Sequence, residues 1–133
     1  MQWVIRGIVA LWAMFFGWTG LTGLIDSAVY GEIFGIAGDA LVMNTVRADL
    51  SSFFIVSSVA AGWAAVRPGM ARLLYVPAAL FGTAMVGRII GVLMGDPFSG
   101  AISQSIIVEG VSLVLMVASA RLLSRDGGPQ SPI

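Results

Sequence analysis

The chain has 133 residues and seven side chains of each charge, so its formal net charge is zero. Hydrophobic residues make up 58% and charged residues 11%, less than half of the roughly 25% charged residues in a soluble domain. A soluble fold of this composition would lack the polar surface to cover its core, and the bilayer is the natural solvent. No cysteine, histidine or lysine occurs, which excludes disulfides, thiolate and imidazole metal sites, Ser-His-Asp catalysis and Schiff-base chemistry. Neutral charge leaves no basic face for nucleic acid.

Crossing about 30 Å of hydrocarbon takes about 20 apolar residues in a helix. Four stretches qualify, at about 3–24, 48–66, 71–94 and 101–123. The fold class expected is all-α: an integral membrane bundle of four transmembrane helices forming one domain over 1–123. The first stretch reads as a retained helix rather than a cleaved leader, because its basic end is a single Arg6 and Asp26-Ser27-Ala28 is a poor cleavage site. Between spans one and two lies an external segment, 25–47, too polar to span and punctuated by glycine, with helical character from as early as Ala40. Tyr30 and Phe34 in it suit a membrane interface. Its acids Asp26, Glu32 and Asp39 do not match a calcium-loop spacing and read as solvated groups. Arg67-Pro68-Gly69 and Gly95-Asp96-Pro97 supply turn chemistry at the other two junctions. The tail, 124–133, is polar with Gly and Pro and reads as a disordered cytoplasmic segment.

With four spans, Arg6, Arg67, Arg72, Arg121 and Arg125 all fall on one side, and Asp26, Glu32, Asp39 and Asp96 on the other. The positive-inside rule then places both termini in the cytoplasm.

Two charges lie well inside spans. Arg88 precedes Gly95 by seven residues, roughly 10 Å below the external end of span three. Glu109 follows Ala101 by eight, roughly 12 Å below the same end of span four. The short turn makes these spans antiparallel neighbours, so the two charges share a level and pair. By the same count Arg47 and Asp49, early in span two, reach this depth, which gives a charge-balanced cluster of Arg47, Asp49, Arg88 and Glu109 in the outer third of the bundle. Ser105, Glu109, Ser112 and Met116 share one helical face. Gly87, Gly91 and Gly95 form a stripe that admits close approach of another helix, from this chain or a second copy. Trp12, Phe15 and Trp18 in span one either wall an apolar pocket beside the cluster or pack and face lipid. Intramembrane charges mark functional sites by default, and the plain alternative is an ion pair that fixes helix register.

Asn44-Thr45-Val46-Arg47 opening span two, Gly87-Arg88 late in span three, Gly95-Asp96-Pro97 in the turn and Glu109 in span four together resemble a widespread bacterial family of small four-helix membrane proteins catalogued only as a domain of unknown function. In size and layout the chain is more distantly similar to DoxX-like membrane proteins. The resemblance covers about residues 1–123. It implies the four-span fold and the bacterial cytoplasmic (inner) membrane. It marks Asn44, Arg47, Arg88 and Glu109, and it implies no activity. After the first arginine the family carries glycines and a Tyr, where this chain has Ala48-Asp49-Leu50-Ser51-Ser52-Phe53.

The function expected is a non-catalytic binding or accessory subunit whose Arg/Glu cluster holds a lipid, a quinone or a small anionic ligand, or fixes the helices. A small proton-coupled transporter is the alternative. No cofactor and no metal site are expected. Membrane lipids are the expected partners, and a larger membrane complex or a homo-oligomer is compatible with the composition.

Overall fold

A computed structural model describes residues 1–125. The chain forms α1 (Gln2–Ile25), α2 (Ala28–Phe34), α3 (Ala40–Val66), a 3-10 turn (Ala71–Leu74), α4 (Tyr75–Leu93) and α5 (Gly100–Arg125), with no strand among the described residues. Four stretches are long and apolar enough to cross a membrane: α1, α3, α5 and the turn joined to α4. The protein is an all-α bundle of four candidate transmembrane helices. α3 is continuous from Ala40, so residues 40–47 belong to the second long helix and the segment between helices is shorter than 25–47. Ser124 and Arg125 complete α5, and the remainder of the expected tail lies outside the described residues.

Local chemistry sets each boundary. Asp39 N-caps α3, its Oδ1 accepting from Leu41 N–H and Val42 N–H at 3.0 Å each. Asp26 Oδ1 accepts from Ala28 N–H at 3.0 Å at the start of α2. These two acids are exposed, as solvated groups are, and also satisfy helix amides. Pro77 sits in the first turn of α4, where its missing N–H costs no helical bond. Just past the end of α4, Gly95 takes a φ of +105° that suits glycine, while Asp96 N–H reaches back to Gly91 C=O at 3.0 Å.

α1 packs chiefly on α3, and α4 chiefly on α5. Glycine makes the first contact close. A Cβ at Gly20 would meet Ile55 and Phe54 side chains at 2.9 and 3.0 Å, and a Cβ at Gly17 would meet Ser58 at 3.4 Å. The two pairs join at the end that carries the chain's start, where the 3-10 turn touches both α3 and α5. Val9, Ala61, Ala64, Leu74, Met116 and Ala120 form a core of small and medium side chains there. At the same end Arg6 Nη1 donates to Ala64 C=O (3.0 Å) and Ala65 C=O (2.8 Å), satisfying carbonyls in the last turn of α3. Toward the opposite end the core becomes aromatic: Phe16, Tyr30, Phe54 and Phe81.

The outside of the bundle is apolar and much of its interior is polar. Trp3, Leu11, Trp18 and Leu93 are exposed, while Ser51, Ser57, Ser105, Glu109, Ser112 and Ser119 are buried. A soluble monomer rarely leaves so much contiguous apolar surface in water. A helix bundle in lipid distributes its residues this way, with polar and small side chains between helices and bulky apolar ones outward.

Candidate functional site

Arg88 and Glu109 meet across α4 and α5. Arg88 Nε donates to Glu109 Oε1 at 2.8 Å, with the arginine side chain 32% exposed and the glutamate 9%. The pair joins a partly open group to a closed one. The other carboxylate oxygen, Glu109 Oε2, is buried with no hydrogen-bond partner among the described residues. One turn along α5, Ser112 Oγ accepts from Trp12 Nε1–H at 3.0 Å, tying α1 to α5 beside the pair.

The ion pair stands at the wall of a cavity of about 200 Å³ to which all four long helices and α2 contribute. Phe16, Phe34, Phe53, Phe54 and Phe81 supply its apolar body; Arg88, Glu109, Ser105, Gln104 and Thr19 are its polar edge. The rings support one another. Phe16 stacks on Phe54 with centroids 5.5 Å apart, and Phe53 lies 4.7 Å from Phe81.

α2 lines one side of the cavity with Ile33 and Phe34, and Tyr30 anchors that helix. Tyr30 is fully buried, and its hydroxyl is 2.8 Å from Ser51 Oγ on α3. It therefore does not occupy the membrane interface expected for it: the ring packs inside, where Ser51 gives its hydroxyl a partner. Gly23 of α1 leaves the room the ring needs, since a Cβ there would overlap it. Burial raises the phenol above its ordinary 10.0, with the Ser51 bond opposing. The stability gained by docking it neutral is complete below that value and is lost as pH rises past it.

Three of the expected cluster residues stand elsewhere. Asn44, Arg47 and Asp49 are exposed on α3. Arg47 Nη2 donates to Ser27 Oγ at 3.5 Å, below α2, and Asp49 lies two positions from the buried Ser51, on the opposite side of the helix. The four-charge cluster thus reduces to one pair. For Gly87, Gly91 and Gly95, only the contact within one chain is absent among the described residues. A Cβ at Gly87 or Gly95 would meet nothing within 4 Å, and one at Gly91 would meet Asp96 of the following turn, so no helix of this chain packs on the stripe. Gly87 and Gly91 instead line a shallow cleft with Asp96 on the outer side of Arg88. Ser105 and Ser112 are buried on the face of Glu109. Of the span-one aromatics, Phe15 lines the cavity, Trp12 packs against Phe16 and Phe81, and Trp18 faces outward. The phenylalanines of α3 and α4 are not singled out as site residues by the sequence reading, and Phe34, expected at the membrane interface, lines the cavity instead. The Phe15-Phe16 and Phe53-Phe54 doublets were the available signal.

Comparison with family models, with curated proteins and with solved structures gives no match for this chain. The site is read from its own chemistry.

Proposed function

We propose that this protein is a binding or accessory subunit of the bacterial cytoplasmic membrane, with both termini in the cytoplasm, and that the cavity beside Arg88 and Glu109 holds a small lipid-soluble molecule. The observation that carries this is the juxtaposition of an aromatic cavity of about 200 Å³ with the ion pair in its wall. An apolar hollow with a few convergent polar groups is the usual form of a small-molecule site. Register alone would be served equally by a pair buried against packed side chains. The same reading takes membrane lipids, a larger complex or a second copy as its partners. Binding, not catalysis, fits a polar edge in which no hydroxyl is hydrogen-bonded to the Glu109 carboxylate among the described residues.

Native mass spectrometry with solvent extraction, on wild type and on the R88L/E109L variant, tests the proposal. The double change removes both charges without stranding either. A defined small molecule carried by wild type and lost from the folded variant is the expected result. Equal loading of both, or none in either, would count against it.

A further inference from the structure

The polar edge of the cavity also specifies what kind of molecule belongs there, and this rests on the binding reading above. Among the described residues, the only charged groups lining the cavity are Arg88 and Glu109, which are of opposite sign and already paired. A charged ligand would find no counter-charge to spare and would lose its hydration on entry. The unmet requirement is an acceptor: Glu109 Oε2, on a side chain more than nine-tenths buried, has no donor among the described residues. A carboxylate bound to a guanidinium accepts on both oxygens and donates on neither. A buried acceptor left open carries its full desolvation cost, which a donor on the occupant would recover. The rest of the wall favours a flat body, because phenylalanines arrive from α1, α2, α3 and α4. In size, an apolar cavity of about 150 Å³ takes a benzene ring, so this one admits one or two fused rings.

We propose that the cavity selects an uncharged, ring-bearing lipophile that presents a hydroxyl or N–H donor to Glu109 Oε2. The carboxylate reaches it by a small turn about its last, soft torsion, with the partly exposed Arg88 side chain following Oε1. A ring that carries only acceptors, or an acid, is rejected.

Indole and benzofuran test this, since they share shape and differ in whether the heteroatom donates or accepts. Benzofuran-2-carboxylate is the anionic probe. Binding is measured by calorimetry on the full chain in lipid nanodiscs. The A84F variant, which fills the cavity from α4 and leaves both charges in place, gives the background from partition into lipid. Indole is expected to bind wild type about tenfold tighter than benzofuran, the discrimination of one hydrogen bond to a charged group. In E109Q the preference is expected to reverse, because the amide keeps an acceptor for Arg88 and turns an N–H toward the ligand. Should E109Q not fold, the wild-type ratio decides alone. Equal affinity of indole and benzofuran, both above the A84F background, would overturn the donor requirement and leave a binding cavity. Tightest binding of the carboxylate would overturn it in favour of an anion site. Binding of none of the three above background would overturn it together with the binding reading.

Discussion

Arg88 and Glu109 differ in burial, and the difference has an energetic consequence. Glu109 is enclosed, whereas about a third of Arg88 is exposed toward the outer cleft. Removing the arginine leaves a carboxylate buried alone; removing the glutamate leaves a long cation able to turn toward the polar end of α4. Arg88→Leu is therefore expected to destabilise the fold by about 3 kcal/mol and Glu109→Leu by about 1 kcal/mol. The double variant should cost less than their sum, because it strands neither charge. Unfolding in mild detergent checks the order, and a larger loss for Glu109→Leu would refute it. This pair was legible in the sequence because both depths are counted from one short turn, so errors in the two counts cancel. Arg47 and Asp49 were assigned to the same layer by depth alone. Depth does not fix azimuth, and Asp49 points away from the face that buries Ser51 and Phe54.

At the scale of elements, α2 depends on one tyrosine. Tyr30 is held by Ser51, by the rings of Phe34 and Phe54, and by the space at Gly23. Gly23→Ala should displace the ring and undock α2 while α1 stays paired with α3. The readout is limited proteolysis between Gly35 and Asp39: faster cleavage than in wild type is expected, and unchanged cleavage would argue that α2 is held some other way. Tyr30→Phe is milder, about 1 kcal/mol, since it removes one hydrogen bond and leaves Ser51 without its buried partner; the Y30F/S51A pair should recover most of that loss. Glycine, Tyr30 and Phe34 allow an interfacial helix or hairpin capping the bundle, but the segment alone does not say which neighbours bury the tyrosine ring. The long helices were legible because hydropathy over 20 residues is a strong signal. The helix-packing glycines were not legible: the regular four-residue stripe of Gly87, Gly91 and Gly95 stands out, yet Gly17 and Gly20, three apart, pack against a neighbouring helix among the described residues and the stripe does not. Spacing gives a stripe and leaves open whether a neighbour covers it.

As a whole, the molecule joins its two helix pairs at one end and encloses an aromatic cavity toward the other. The arginines of the helix ends cluster at the joined end, which underlies the proposed cytoplasmic termini. The chain has no cysteine, so a single introduced thiol reports its own side of the membrane. S99C, between α4 and α5, should react with an impermeant maleimide on intact cells, and M70C, between α3 and α4, only after disruption. The opposite pattern would invert the topology. The claim on which the functional reading turns is that a lipid-soluble molecule enters the space between the helix pairs. Photolabelling with a small aromatic diazirine in membranes, followed by peptide mass spectrometry, addresses it most directly. The expected result is label concentrated on Phe16, Phe34, Phe53 and Phe81 and lost in A84F. Label confined to the outward Trp3, Leu11 and Trp18, and indifferent to A84F, would contradict it.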